Sequence, residues 1–583
     1  MPTPSSGTSV LPIPKTGATN IDALLSTYRW ESPVISYSFA EGGSQFSTAV
    51  GAGYGSTQSG NEPWTRYFSP LSSSDRPFFA GALAKWSNVA ALSFVQVAES
   101  STNVGTIRAA YTYLPSKSET TAWAYLPSAT PNGGDIWFNA LGSAGKDVWT
   151  QGSFANFSVV HELGHALGLK HPFEGGVVLP SQYDSQIYTV MSYSASPGLS
   201  LATVLDYYPT TPMVLDIAAI QYVYGANTSF HAGDDTYVYN DTGKYMETIW
   251  DAAGRDTIRY DGVQDSFINL NPGYGSTIGN RVHILSNTAL PQIVNNVWIA
   301  FGVQLENATG GAGNDQITGN DGDNLLSGRG GNDLLDGKAG DDSALYSGRI
   351  GQFKVVRNAS GYLVTDKTGV EGSDQLSNIE HLRFTDKTVN LAVAAQAKTI
   401  NAATLKSLVE LYVAFFNRVP DGDGMSYWIS QAAAGASIPS IANNFYSAAV
   451  QFSSVTGYSA TMTNTAFVNL IYKNVLGRAT ADADGLAYWT NALARGTETR
   501  GTLVQSILAS AHTFKGRADF GAVADLLDNK YTVGKLFAVD MGLGFLTSEE
   551  SITKGMQIAA AVTSASTAAA ISLIGVSAAD VQL

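Results

Sequence analysis

The stretch Val160-His161-Glu162-Leu163-Gly164-His165-Ala166-Leu167-Gly168-Leu169-Lys170-His171 spaces three histidines and a glutamate so that they could hold and use one metal ion. Residues four apart on a helix lie on one face. His161 and His165 therefore offer two ring nitrogens to one point, one turn apart. Glu162 projects beside them without having to ligate. Gly168 has no Cβ, so the chain can leave the helix there in a left-handed turn and bring His171 back to the same point. Three neutral imidazoles with one open position describe a catalytic zinc site rather than a closed structural one. HExxH alone arises by chance in many helices, but here five specified positions coincide and use three of the chain's seven histidines.

Such a helix must be buried and fixed. Val159, Val160, Leu163, Ala166 and Leu167 supply its apolar surroundings. Upstream, Val34 to Phe39 reads as a strand, and Arg76 to Val89 as a helix with Phe78, Phe79, Leu83 and Trp86 as its stripe. Short strands follow at Leu92 to Val97 and Thr106 to Ala110, an α+β order of sheet layered on helices. Ala122, Trp123, Ala124 and Tyr125 belong to a strand ending at Pro127, and Asp135 to Asn139 forms the next. Proline favours sheet edges, and an open edge beside a metal is where an extended peptide can add as another strand. Two ordinary sheet strands explain the same residues equally well. Downstream, Met191 suits a tight turn packing under the metal as an apolar floor.

Composition narrows the partners. The formal net charge of −15 disfavours nucleic acid and anionic membranes. Glycine is abundant, at 59 residues, and charge is sparse, which favours turn-rich β architecture. There is no cysteine, so an oxidising compartment poses no mispairing. No basic and apolar leader of the cleavable kind opens the chain. Residues 1–18 read as a mobile leader. The uncharged run from Gly555 to Ala579 is rich in Ala, Ser and Thr and reads as a packed helical end, not a membrane span.

From Gly310 four nonapeptides follow without a gap: GGAGNDQIT, GNDGDNLLS, GRGGNDLLD and GKAGDDSAL. Each follows the calcium-binding β-helix pattern GGxGxDxUx. Glycine turns, such as those at Gly311, Gly313 and Gly331, offer carbonyls, and the aspartate offers a carboxylate, to a hard oxygen-seeking ion. The last three residues of each unit form a short strand with Ile317, Leu326, Leu335 or Ala344 facing inward. Two units make one coil, so Asp315 pairs with Asp333 as a strong site and Asn324 with Asp342 as a weaker one. Ala344 fills the core poorly and suggests that the roll ends there. A partial unit at 252–258 is expected in the roll, and one at 369–376 has even odds. Residues 346–393 read as a strand-rich cap, which protects the coil's open edges.

From about Ile400 the periodicity becomes helical and Ala-rich, with an internal repeat. Leu411-Tyr412 through Arg418, Asp421, Asp423 and Tyr427-Trp428 recurs as Ile471-Tyr472 through Arg478, Asp482, Asp484 and Tyr488-Trp489. Either the aromatics are core and the aspartates cap helices, or the loops bind calcium or the aromatics bind sugar or a surface protein. The loops lack the full EF-hand ligand set.

The zinc motif, the later Val190-Met191-Ser192-Tyr193, the segment Pro212 to Gly225 and the early Asn20 to Leu25 together resemble the serralysin family of secreted metzincin zinc proteases. The likeness spans roughly residues 18–345. It implies that Met191 is the Met-turn residue. Tyr193 is then a further zinc ligand that can swing away to stabilise an oxyanion, with Asp251, Asp256 and Glu306 as additional calcium ligands. It implies hydrolysis of internal peptide bonds in protein or peptide substrates, one catalytic Zn²⁺, several structural Ca²⁺ ions, and export through type I secretion machinery. The last part looks like a helical module of unknown function appended to secreted bacterial repeat proteins.

The expected architecture is multidomain. After the leader come an α+β metzincin protease domain at 19–232, a parallel β-roll (RTX) domain with cap at 233–395 and an all-α C-terminal domain at 396–583. The leading functional expectation is a secreted zinc endopeptidase with Glu162 as base. The alternative is a non-catalytic or narrowly specific cell-surface protein whose helical domain binds the partner.

Overall fold

A computed structural model describes residues 2–197, 203–286 and 289–583. The chain forms two compact units, Met1–Asn320 and Asp321–Leu583. No helix among the described residues is long and apolar enough to cross a membrane.

In the first unit, strands buried on both faces build the middle of a five-stranded sheet. Strands β1 (Val10–Pro12) and β2 (Tyr28–Trp30) pair separately, as a two-stranded ribbon. The sheet proper runs β4-β3-β5-β7-β6, with β3 (Val34–Phe39), β4 (Ser93–Gln96), β5 (Ile107–Thr112), β6 (Ala122–Ala124) and β7 (Ile136–Asn139). Its inner strands are parallel, and β6 lies antiparallel on the edge beyond β7, with Trp123 opposite Trp137. The helix Arg76–Val89, its bounds as read from periodicity, packs on the helix Phe154–Ala166 that carries the zinc motif. The Trp86 indole N–H donates to the Val160 carbonyl at 3.2 Å. Val159, Val160, Leu163, Ala166 and Leu167 are fully buried, each larger side chain contributing about 1.5–3 kcal/mol.

Residues 2–18, part of the leader expected to be mobile, are instead tied down. β1 pairs antiparallel with β2, Ile13 is buried, and the Asp22 carboxylate accepts from the Thr16 and Gly17 amides. These contacts are with residues further along the chain, so local composition carried no sign of them.

The remainder of this unit begins the roll. Thr236–Tyr239, Thr257–Tyr260 and Asn307–Thr309 align in parallel, and Phe267–Asn269 pairs with Gln316–Thr318, placing Ile268 beside Ile317. The partial repeat at 252–258 thus lies in the coil, as its spacing predicts.

In the second unit, Leu326, Ala344 and Leu382 stack through parallel strands, and Leu335 stacks on Leu376. The roll therefore does not end at Ala344. Leucines on both sides cover its small side chain, and the partial repeat at 369–376 is part of the coil. Between these turns the hairpin Phe353–Asn358 with Gly361–Asp366 is inserted. Among the helices that follow, six form two three-helix repeats: Ala402–Phe416, Gly422–Ala433 and Ile438–Gln451, then Asn464–Leu476, Ala483–Ala494 and Arg500–His512.

The expected boundaries at 232/233 and 395/396 are not where compactness divides the chain. Residues of the expected roll domain fall in both units. The helical region does not close on itself either: Leu543–Gly544 pairs with Thr388–Asn390, and the terminal Val581–Gln582 pairs with Phe353–Asn358. Both pairings are two-residue strands, too short to announce themselves by periodicity.

Candidate active site

The zinc-motif helix starts at Ser153, whose hydroxyl accepts from the Asn156 amide at 3.1 Å, a standard N-cap. It ends where Leu167 closes the last turn and Gly168 adopts φ +108°. A Cβ at Gly168 would stand 2.9 Å from the Tyr28 carbonyl, so both the backbone angle and the space call for glycine. The turn is held from outside by the Trp30 indole on the Ala166 carbonyl and the Tyr224 hydroxyl on the Leu167 carbonyl.

This geometry converges the three imidazoles. His171 Nε2 lies 3.3 Å from His161 Nε2 and 3.0 Å from His165 Nε2. Each Nδ1 meets an acceptor: the Val190 carbonyl at 2.7 Å for His161, the Leu169 carbonyl at 2.8 Å for His165 and Glu174 Oε1 at 2.8 Å for His171. The ring protons therefore sit on Nδ1, and three Nε2 lone pairs face one another. Ligands about 2.05 Å from a tetrahedral zinc stand roughly 3.3 Å apart, so the nitrogens fit that ion. Burial, then mutual repulsion, holds His161 down at about 3 and His165 well below the usual range, so both stay neutral and able to ligate.

Beneath them, Met191 is fully buried, and a Cβ on Gly164 would stand 2.5 Å from its sulfur. The turn carrying Met191 is pinned by Asp216, which sequence reasoning did not single out. This carboxylate is 0 % exposed. It accepts from Thr189 Oγ1 at 2.5 Å and from the Val190 and Met213 amides at 2.7 and 2.8 Å. The Val190 peptide thus connects Asp216 to His161. Glu174, the orienting partner of His171, was likewise missed. Its signal, an acid three residues after a ligand, is too common to stand out.

Glu162 is buried, and its Oε2 has no hydrogen-bond partner among the described residues. Burial pushes it up to about 8, opposed by Lys117 and the Ala124 backbone, and positive charge at the three nitrogens would draw it back down. Tyr193 is 49 % exposed, its ring centroid 4.5 Å from that of His171 and 5.8 Å from that of His161. Loss of solvent, then the charges of Glu162 and Glu174, push its hydroxyl up to about 12, so it remains a donor. On the edge strand, Trp123 Nε1 and Tyr125 Oη both donate to the buried Glu62 carboxylate, at 3.2 and 2.9 Å. Glu62 was not foreseen.

Comparison with known proteins meets this geometry. Residues 70–193 match the family described as Matrixin, and residues 214–418 match Peptidase M10 serralysin C terminal. These are the domains of a serralysin-type metzincin. Serralysin of Proteus mirabilis is 37% identical over 205 residues, covering 32% of this chain and 39% of that protein. Serralysin B of Dickeya chrysanthemi is 34% identical over 259 residues, 40% of this chain and 51% of its own. Metallopeptidase AprA of Pseudomonas marginalis is 32% identical over 288 residues, 43% and 55% respectively. The chain thus spans between 39% and 55% of the length of these relatives. Residues 450–516 match a domain of unknown function, DUF4214.

Some of the expected calcium residues meet: Asn324 with Asp342 and Asp256 with Glu306. Asp342 accepts from the Asn324 amide at 2.8 Å, and its other oxygen is buried without a partner among the described residues. Burial, then Glu380, Asp323 and Asp341, push it up to about 7. Asp256 also has a buried oxygen without a partner, and burial with neighbouring carboxylates pushes it up to about 6. Its amide donates to Glu306 Oε2 at 2.8 Å. Asp251 lies with His231 and Asp235, their ligand atoms within 4.8 Å of one another. Asp315 accepts from the Gly311 amide and from Ser266, while the Asp333 amide donates to Asp374 at 3.0 Å. Gly313 packs against Gln264, where a Cβ would come within 2.5 Å of backbone, and Gly331 takes φ +116°. Crowded, half-neutralised carboxylates of this kind suit a divalent cation.

Proposed function

We propose that this protein is a secreted zinc endopeptidase that hydrolyses internal peptide bonds of proteins and is folded by extracellular calcium. The observation that carries it is the convergence of three Nε2 lone pairs, with Glu162, next to His161 on the helix, keeping a buried oxygen without a partner among the described residues. His161, His165 and His171 would hold the zinc, with Tyr193 as a further, displaceable ligand. Zinc there supplies Lewis acidity to a water and to the scissile carbonyl.

The remaining chemistry belongs to the chain. Glu162 takes a proton from the attacking water and returns it to the leaving amine. The Tyr193 hydroxyl donates to oxygen charge that develops in the transition state. The outer edge of β6 receives an extended substrate as an added strand, and Glu62 holds Trp123 and Tyr125 so that this edge keeps its line. Outside the cell, calcium binding becomes folding free energy for the roll. Inside, at low calcium, the carboxylates repel and the roll stays unfolded, which suits export through a one-step type I channel.

Glu162→Ala tests the reading. Casein hydrolysis should fall about 10²–10⁴-fold with zinc content unchanged, and a zinc chelator should abolish wild-type activity. Retained hydrolysis in the variant would remove Glu162 as base. A cell-surface tether through 396–583 is a second reading, supported by the extra helical region. Washed cells should then retain the full-length protein, and recovery of all of it in the medium would remove this reading.

A further inference from the structure

The helical repeat builds the same cavity twice. In the first copy Tyr412, Arg418, Asp421, Asp423 and Trp428 line a cavity of about 540 Å³. In the second, Tyr472, Arg478, Asp482, Asp484 and Trp489 line one of about 610 Å³. Both fall within the roughly 300–1,000 Å³ range of small-molecule sites and could seat about two sugar rings. The far walls differ: Phe545 and Leu546 close the first, Phe520 and Val523 the second. The shared part therefore persists while its surroundings change.

Some of this repetition is structural. Asp421 and Asp482 cap helices by accepting from the Gly424 and Gly485 amides, each at 2.8 Å. Tyr412 and Tyr472 are buried. The rest is tied less closely to the fold. Beside each tryptophan a tyrosine stands edge-on, Tyr427 at 4.9 Å and Tyr488 at 4.7 Å between ring centroids. These tyrosines are 56 % and 66 % exposed. Asp423 and Asp484 are also exposed and neither caps a helix, although Asp423 Oδ1 accepts from Asn390 Nδ2 at 2.9 Å.

The chemistry of the lining selects a ligand class. One arginine against two aspartates leaves each cavity net negative, which disfavours phosphates, acidic sugars and nucleic acid. Arg418 reaches Asp421 at 2.8 Å, and Arg478 reaches Asp482 at 3.6 Å. Each cavity thus presents fixed donors and acceptors side by side. Each indole has a flat apolar face; one side of Trp428 stacks on Phe445 at 4.6 Å, and the Trp489 N–H donates to Tyr472 Oη at 3.2 Å. A neutral sugar ring matches that set: its C–H face lies on the aromatic, and its neighbouring hydroxyls both donate and accept. We propose that the two repeats form a pair of equivalent binding sites for neutral sugar rings, centred on Trp428 with Arg418 and Asp423, and on Trp489 with Arg478 and Asp484.

Isothermal titration of the full-length, calcium-loaded protein tests this. One arm uses free glucose, galactose, mannose and rhamnose; the other uses dextran and mannan. Saturable heat with two sites and a Kd of about 1 mM or tighter is expected in at least one arm. Binding in the free-sugar arm identifies a small-molecule site, and binding confined to the polymer arm a chain-binding one. Trp428→Leu and Trp489→Leu should each remove one equivalent, and the exposed Asp484→Ala should weaken its site about tenfold with Tm unchanged. Three results would overturn the proposal: no saturable heat with any of these sugars, binding untouched by both tryptophan changes, or saturable binding of tetralysine alone.

Discussion

Asp216 provides the sharpest test of how the metal site is supported. Alanine at this position removes the acceptor of two buried backbone amides, Val190 and Met213, and of the Thr189 hydroxyl. A buried donor left without a partner costs about 1–3 kcal/mol, so the two amides alone imply roughly 2–6 kcal/mol. Asparagine behaves differently. Its single carbonyl oxygen can serve both amides while its NH₂ faces Thr189, whose hydroxyl can accept, so Asp216→Asn should cost about 1 kcal/mol. The damage should reach the metal because the Val190 carbonyl orients His161 through the 2.7 Å contact to Nδ1. Loss of such an outer partner typically weakens metal binding about 10–100-fold. Calorimetric Tm and zinc affinity by chelator competition, on calcium-loaded protein, measure both effects. Asp216→Ala should lower both, and Asp216→Asn should leave both near wild type. A wild-type zinc affinity in the alanine variant would refute the reasoning. So would an asparagine variant as damaged as the alanine one, since charge rather than the count of hydrogen bonds would then hold the turn.

Other consequences are direct. Tyr193→Phe should lower kcat about 10²–10³-fold with zinc retained, the loss of one oxyanion donor; unchanged kcat would remove that role. Calcium removal should unfold the roll, read as loss of β signal in circular dichroism. Asn324→Asp, beside Asp342, should tighten calcium binding by adding a charge to the weaker pair. Asp135 is buried with Tyr54 at 2.7 Å, and burial, opposed by Arg108, pushes its carboxyl up to about 7. A raised carboxyl favours folding fully below about pH 4, and that contribution is lost as pH rises through about 7, at most about 4 kcal/mol. Thermal melts from pH 4 to 8 should show wild type losing stability relative to Asp135→Asn across that window.

Much of the site was legible because its geometry is local. Two histidines four apart on a helix share a face whatever surrounds them, and Gly168 can turn the chain because it lacks a Cβ. The nonapeptides were legible for a similar reason: a repeat with a fixed period stacks on itself, so Ile317, Leu326, Leu335 and Ala344 could be turned inward from the pattern alone. Even there, the coil's continuation past Ala344 had only even odds, because a long hairpin insertion separates the next stacking leucines, Leu376 and Leu382, from the regular repeats.

What only the tertiary structure decided is everything held by partners distant in the chain. Asp216 reaches back to Val190, Glu62 reaches forward to Trp123 and Tyr125, and the last strand, Val581–Gln582, returns to Phe353–Asn358. A lone buried acid or a two-residue strand has no periodicity, and its meaning depends on which surface closes over it. The sequence by itself determined the three converging histidines, the glutamate beside them and the nonapeptide coil, since spacing along one helix or one coil specifies them. The structure determined which carbonyls orient those imidazoles and which acids pin the turn and the edge strand, because such contacts exist only after the chain has bridged long separations.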